Sequence, residues 1–406
     1  MRAVFQVLSF SLVAKAILGA LGIVLIRYMP ADQYAEYVFA LALAAFVVQS
    51  VAATFNRVYV LSTAVEPENG SQEWSLLGLQ TVIIGALAAL GLPLLTDLGF
   101  VYLLVVLLIL ANSVADFAKT CYQRDLQFFR FSLIELARAL LFLVGVAILI
   151  AVGAGTVSAG AVIAIQTISL LLVAWVALYP RATAWKATRP AVMIRYGREL
   201  LRGDYAFLFA YCFVIGVFTQ TDIFMLKIVG DASMLANYGS AFRYYSILSL
   251  ALGAVHAVLL PTIQKLTTQA ELRALLAMHR RVLVLFCLIA LAAGWLAAWA
   301  IPWVDAGKYP AAVPSFRILC VSAVISFAFS PYVNLLMRFK QFGFLLALIL
   351  VALTLHTVLC FVLIPSFGAA GAATATLLSA ALFNVSIFIK SHKRTIVAVS
   401  NECGKA

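Results

Sequence analysis

Runs of about 20 apolar residues recur along nearly the whole chain, and few folds can hold them. They are Val4–Ile26, Tyr37–Leu61, Leu76–Leu95, Phe100–Phe117, Ser132–Val152, Val157–Tyr179, Tyr205–Val229, Tyr238–Leu260, Val282–Ile301, Val313–Tyr332, Phe344–Ile364 and Gly368–Ile389. Each reaches the length an α-helix needs to cross a hydrocarbon core. Strands of a membrane barrel would alternate apolar and polar residues over about 10 positions, whereas these runs are continuous. Of the 406 residues, 65% are apolar and 11% are charged, against about 25% charged in an ordinary soluble domain. Too few polar groups remain to cover a water-facing surface of this size. The expected fold class is an all-α polytopic membrane protein with about 12 transmembrane helices in two six-helix bundles.

The balance of 28 Lys and Arg against 16 Asp and Glu gives a formal charge of +12. In a soluble protein that excess would point to nucleic acid. In a membrane protein it marks cytoplasmic loops, so no nucleic-acid partner is expected. With the N-terminus cytoplasmic, 20 of the 28 basic residues fall in cytoplasmic segments. Only Arg27, Lys227, Lys308 and Arg317 fall on the opposite side. The basic C-terminus returns to the starting side, which requires an even number of crossings.

The longest polar segment divides the chain. The expected units are an N-terminal six-helix bundle over 1–180, a cytoplasmic linker over 181–204 and a C-terminal six-helix bundle over 205–406. Within the linker, Arg195, Arg198 and Arg202 share one helical face, which predicts an interfacial helix on the cytoplasmic leaflet. Thr268-Gln269-Ala270-Glu271 fits a capping box before Leu272–Met278. A weak repeat joins the halves: Arg27–Asp32 then Tyr37 corresponds to Lys227–Ala232 then Tyr238. Each is a helix end, a basic stop, a short turn and an aromatic start to the next helix. That is a parallel repeat about the membrane normal.

Enzyme signatures are missing. No phosphate-binding G-x-x-x-x-G-K-[ST] loop, no H-E-x-x-H and no paired His/Cys spacing occurs, so neither enzyme activity nor a cofactor or metal is expected. The cysteines Cys121, Cys212, Cys287, Cys320, Cys360 and Cys403 form no C-x-x-C pair, and four of them lie in apolar runs, as buried hydrophobes do. His256, His279, His356 and His392 read as structural residues.

The informative residues are ionisable groups well inside spans, each costing about 2.5–3.5 kcal/mol at a helix centre. They are Lys15, Arg57, Glu135, Arg138, Asp222 and Arg243. Four are basic and two acidic, and a positive excess within the membrane suits an anionic substrate. Two readings stand for several of them. Asp222 and Arg243 lie at similar depths, about 10 and 7 Å from the outer helix ends, and are expected to form a salt bridge if their role is structural. Arg57 and Glu135 lie about 5 Å from the cytoplasmic ends and match in the same way. Glu135 and Arg138 are also i,i+3 neighbours. Lys15 alone has no partner at its depth.

Three stretches carry a resemblance. Arg27-Tyr28-Met29-Pro30-Ala31-Asp32-Gln33-Tyr34 resembles the R-x-L-G-x-x-x-Y-G start of helix 2 in polysaccharide-unit flippases of the multidrug/oligosaccharidyl-lipid/polysaccharide (MOP) exporter superfamily. Asp222 with Val229–Ala232, Tyr238–Arg243 and Leu260-Pro261 resembles that family's helix 7–8 signature. Leu363–Ala373 resembles its L-I-P-x-x-G-x-x-G-A-A turn between helices 11 and 12. Pro30 and Ala35 stand where the first of these motifs has its glycines.

The resemblance implies two bundles around a central cationic cavity, and alternating access. It implies transfer of a polyprenyl-diphosphate-linked oligosaccharide repeat unit from the cytoplasmic to the outer leaflet of a bacterial cytoplasmic (inner) membrane, for O-antigen or exopolysaccharide assembly. Its expected partners are that lipid-linked oligosaccharide, membrane lipids, a polysaccharide polymerase and other assembly proteins. Lys15, Arg57 and Arg243 occupy the helices in which similar flippases place substrate-binding basic residues. Asp222, Glu135 and Arg138 are left for ion coupling or charge pairing. The competing readings are a drug/cation antiporter of the same superfamily and, ranked lower, a polysaccharide polymerase. An antiporter would need an uncompensated acid, and a polymerase a large outer loop.

The charge asymmetry predicts both termini and Pro180–Asp204 in the cytoplasm. A single cysteine at Ala187, on a cysteine-free background, should stay unreactive to an impermeant thiol reagent outside intact cells and react after permeabilisation. Labelling in intact cells would invert this topology.

Overall fold

In hydrocarbon each backbone polar group must be satisfied inside the protein, and a helix does this locally. The computed structural model describes residues 2–56, 71–91, 100–125, 127–152, 157–181, 191, 193–194, 197–198, 202, 204–265, 268–339 and 341–403, and every regular element among them is helical. Eight helices among these residues are long and apolar enough to cross a membrane, or nine if a bent pair counts as one span. The protein is a multi-pass, all-helical membrane protein.

The chain divides into two compact units, Met1–Gln220 and Thr221–Ala406. The division falls inside the span expected at 205–229, not in the linker at 181–204. Most of that linker lies outside the described residues. Its Met193 and Gly197 are helical and pack against the third helix, beside Gly78 and Leu79.

The first unit contains α1 (Arg2–Tyr28), α2 (Ala31–Val47), α3 (Ser71–Gly91), α4 (Phe100–Arg124), α5 (Phe128–Val152), α6 (Ala159–Leu178) and α7 (Asp204–Phe218). Its α1 packs on α5, and α4 packs on both α6 and α2. Pro30, with φ −58°, caps the start of α2, so that helix begins six residues before the expected Tyr37. A π-helical turn, Val48–Ala52, follows α2. It packs against α7, where the missing side chain of Gly216 makes room for Ser50. A Cβ on Gly216 would lie 2.2 Å from Ser50 Oγ and 2.8 Å from Ser50 N. Phe55 against Phe209, with ring centroids 4.9 Å apart, extends the same crossing. The hydroxyl of Thr219 donates to Gln49 Oε1 at 2.9 Å and ties the end of α7 to the π-turn.

The second unit contains α8 (Thr221–Val229), α9 (Ala232–Lys265), α10 (Gln269–Val304), α11 (Ala312–Arg338) and α12 (Phe342–Cys403). Its α8 continues the line of α7 after a bend of 44° at Thr219-Gln220, so the expected seventh span is broken in two. The capping box forms as expected: Glu271 N–H donates to Thr268 Oγ1, and Thr268 N–H to Glu271 Oε2. It starts α10 well before the expected Val282 and joins an N-terminal extension to the span. At the same end Leu259, Ile263, Leu275 and Leu335 form a buried cluster, and Arg338 Nη1 donates to Ile263 O at 2.8 Å.

The 62 residues of α12 would extend about 93 Å as one rod, three times the hydrocarbon thickness. The helix folds back at Gly368, where φ is +55°, into two antiparallel limbs. His356 then meets Ser379 and Lys390 lies over the Phe344 ring. These limbs are the last two expected spans. Gly371 sits against the Leu363 carbonyl, where a Cβ would lie 2.3 Å from the oxygen.

The repeat read from the sequence has a backbone counterpart. Met29 N–H donates to Leu25 O and Gly230 N–H to Leu226 O, each at 3.0 Å. Tyr34 N–H donates to Pro30 O and Leu235 N–H to Asp231 O. Tyr37 and Tyr238 then stand at matching places, both fully buried.

Gly216→Ala and Gly371→Ala should each lower the thermal unfolding temperature, because the new methyl meets backbone atoms. Overpacking of this kind costs about 1–3 kcal/mol. Gly85→Ala, whose Cβ would meet nothing within 4 Å, should not lower it. Thermal unfolding of purified protein in detergent reads all three.

Candidate functional site

Each unit holds ionisable groups within its apolar helices. In the first unit, α4 runs on to Arg124, past the expected Phe117, and so carries Lys119 inside the bundle. Lys119 Nζ lies 2.8 Å from Asp116 and 3.7 Å from Glu135 of α5. Arg138, one turn further along α5, adds a second positive charge to this group. Neither pairing expected for Glu135 is seen: among the described residues it makes no ion pair with Arg138, and Arg57 lies outside them. Glu135 reaches across to α4 because Lys119 sits opposite it on the neighbouring helix. The i,i+3 spacing of Asp116 and Lys119 was the sequence signal for this cluster. It was lost because α4 was expected to end first.

Lys15 is half-buried on α1 and forms no ion pair among the described residues. A polar network lies deeper in the same unit. Gln80 Nε2 donates to Asn56 Oδ1 at 2.7 Å, and Ser113 Oγ to Gln80 Oε1 at 3.2 Å. Gln80 is fully buried, so this network satisfies side chains that would otherwise be stranded in the bundle.

In the second unit Asp222 stands in the first turn of α8, 4% exposed. Tyr238 of α9 donates its hydroxyl to Asp222 Oδ2, and Ile223 N–H donates to Oδ1 at 2.9 Å. The expected Asp222–Arg243 salt bridge is not among the ion pairs of the described residues. Asp222 instead interacts electrostatically with His356 of α12, the helix on which α8 packs. His356, 1% exposed, places Nδ1 2.9 Å from Ser379 Oγ and Nε2 3.5 Å from Cys360 Sγ. Arg243 is half-buried on α9, one turn beyond Tyr238, beside Phe242, Tyr244 and Tyr245.

His356 and Cys360 read from the sequence as a structural histidine and a buried thiol. Their i,i+4 spacing on one face of α12 was visible, but its meaning depended on the fold of a distant segment, which brings Asp222 to them. Among the described residues no group of three or more His, Cys, Asp or Glu could hold a metal ion. Cys121, Cys212, Cys320 and Cys360 are buried and unbridged, as expected, and Cys287 is half-buried.

No family model and no curated protein matches the sequence. Solved structures do match the fold. The lipid II flippase MurJ, in an inward closed conformation, superposes with a TM-score of 0.74 at 13% identity, over 96% of this chain and 86% of that one. An inward-facing multidrug resistance MATE family transporter of the MOP superfamily gives 0.66 at 12% identity, over 98% and 99%. The fold is of the MOP type. A further MOP superfamily transporter, from Pyrococcus furiosus and described as having a binding pocket of reversed polarity, gives 0.57 at 13% identity over 97% and 95%.

The Asp116–Lys119–Glu135 cluster predicts a specific stability pattern. Lys119→Met leaves two acids facing each other without their cation, at a cost of about 1–3 kcal/mol. Membrane protein level and unfolding temperature should fall, and adding Asp116→Asn with Glu135→Gln should restore most of the loss. A single Lys119→Met variant as stable as the parent would show that the cluster does not hold α4 to α5.

Proposed function

We propose that this protein is a flippase. It carries a polyprenyl-diphosphate-linked oligosaccharide unit from the cytoplasmic to the outer leaflet of a bacterial cytoplasmic membrane, by alternating access, with both termini in the cytoplasm. The observation that carries the reading is how the intramembrane acids are engaged. Glu135 is paired with Lys119, and Asp222 is held by Tyr238 and faces His356. Neither acid forms an ion pair with Lys15 among the described residues, and the sequence sets four basic groups against two acidic ones inside the spans. A diphosphate needs such charge where water is scarce, while its prenyl tail remains in lipid. Lys15 and Arg57 in the first unit and Arg243 in the second are the proposed diphosphate contacts. The fold shared with a lipid II flippase, and with a MOP transporter of reversed pocket polarity, supports this reading.

A drug/cation antiporter is the second reading. Asp222 favours it, as a buried carboxylate with no Lys or Arg within ion-pairing distance among the described residues, and the MATE transporters share the fold. A cationic substrate must reach that carboxylate, which is 4% exposed with both oxygens taken. That accessibility argument ranks the antiporter second.

Outer-leaflet glycan, measured in a strain lacking its own flippase and normalised to membrane protein level, separates the two. The parent should restore glycan and leave ethidium accumulation unchanged. Lys15→Gln should lose about tenfold or more in transport, the worth of one charge-assisted contact of about 1.5 kcal/mol. Lys15→Arg should retain more activity than Lys15→Gln, because it keeps the charge. Ethidium efflux without glycan export would install the antiporter instead.

A further inference from the structure

The second unit encloses a cluster unlike the ion pairs of the first. There Asp116 and Glu135 meet Lys119, and Asp125 meets Arg181. Asp222 meets an imidazole and neutral donors. The titratable groups that act on it are Tyr238 and Tyr245 from α9 and His356 and Cys360 from the first limb of α12; Cys320 of α11 acts on Tyr245. No Lys or Arg lies within ion-pairing distance of Asp222 among the described residues. Tyr238 is fully buried, and Asp222 and His356 are more than nine-tenths buried.

The hydrogen bonds fix which atoms can gain or lose a proton. The single hydroxyl hydrogen of Ser379 is directed at the Ala375 carbonyl, 2.6 Å away. Ser379 Oγ therefore accepts from His356, and Nδ1 of that ring is the permanent donor. The variable proton of His356 belongs to Nε2, which faces the weakly polar Cys360 thiol. On the other partner, Tyr238 donates to Oδ2 and Ile223 N–H to Oδ1, both to the ionised form of Asp222. The N-terminus of α8 favours the same form through its dipole. The cluster is thus built to hold either an Asp222 carboxylate beside a protonated His356 or a carboxylic acid beside a neutral imidazole. Both have zero net charge, which a dry site tolerates. Admitting water hydrates the carboxylate and lets one proton leave, so the cluster becomes singly negative. Its return to zero charge takes one proton back from water.

We propose that Asp222 and His356 form a proton-binding couple, which takes up and releases one proton per transport cycle, and that this site does not take an alkali cation. The donor set argues against the cation. A hard cation wants several oxygen ligands, with carboxylates to offset its charge. Here there is one carboxylate, already bonded on both oxygens, and its neighbours include an imidazole and a thiol. The use of the proton rests on the transport reading above; its binding does not.

The test is electrical and needs no substrate. Full-length protein is reconstituted in proteoliposomes on a supported membrane, and charge displacement is recorded on solution exchange. A jump from about pH 8 to about pH 5 should give a transient in the parent, and a sodium jump at constant pH should give none. Asp222→Asn should lose the proton transient. Asp222→Glu keeps a titratable group and should retain it, which guards against a folding defect in the first variant. His356→Gln should move the midpoint of the transient by about one pH unit or more, a tenfold change in proton concentration.

A sodium transient abolished by Asp222→Asn would replace the couple with a cation site. An unchanged proton transient in Asp222→Asn would remove Asp222, and an unchanged midpoint in His356→Gln would remove His356. A parent with the proton transient but no glycan export keeps the couple and overturns the flippase. Glycan export without any proton transient does the reverse.

Discussion

Hydrocarbon gives the peptide group no partner, so each backbone N–H and C=O in a span must find one in its own helix or in a packed neighbour. That constraint makes the departures from regular helix the informative places in this protein. There are three among the described residues: the π-turn at Val48–Ala52, the bend at Thr219-Gln220 and the reversal at Gly368. Each is secured by local chemistry. Gln49 accepts from Thr219, linking the first two, and the absent side chain of Gly216 lets α7 lie directly on the π-turn. Glycine at 368 supplies the positive φ of the reversal, and Gly371 admits the Leu363 carbonyl.

The same scarcity of partners governs the charges. A buried ion left alone costs more than a pair returns, so the acids are engaged within their own unit. Asp116, Lys119 and Glu135 link α4 to α5. Near the C-terminal end of α4 Arg181 pairs with Asp125 and covers the Tyr122 ring, while Tyr122 and Trp74 donate to carbonyls at and just beyond the end of α6. Asp222 is engaged differently, by hydrogen bonds and an imidazole. With the acids engaged in this way, half-buried Lys15 forms no ion pair among the described residues. The proposed flippase and the proposed proton couple therefore arise from one division of labour, basic residues for the substrate and Asp222 for the ion.

Much of the architecture was legible in the sequence because the signal is redundant. Apolar runs announce spans wherever they occur, the Thr268–Glu271 capping box acts over four residues, and the turn repeat at Met29-Pro30 and Gly230-Asp231 is equally local. Helix ends were less legible. The first turns of α2 and α10 and the last of α4 are polar or mixed in sequence, so hydropathy alone stopped the helices short. The bend at Thr219-Gln220 was hidden for the opposite reason, since its flanks are as apolar as any continuous span.

The pairing of the charges was the part most misread. Depth along a helix can be counted from sequence at 1.5 Å per residue, and it placed Asp222 near Arg243. It cannot say which way a side chain faces around the axis, or which helix is its neighbour. By itself, then, the sequence determined a helical, multi-pass membrane protein with a positive excess in its spans and a repeated turn in its two halves. These follow from composition and short-range patterns that no packing arrangement can alter. The tertiary structure decided that Lys119 serves Glu135, and that Asp222 belongs with Tyr238 and His356. Those contacts join residues from 16 to well over 100 positions apart, and only the packing of one helix on another brings them within hydrogen-bonding or electrostatic reach.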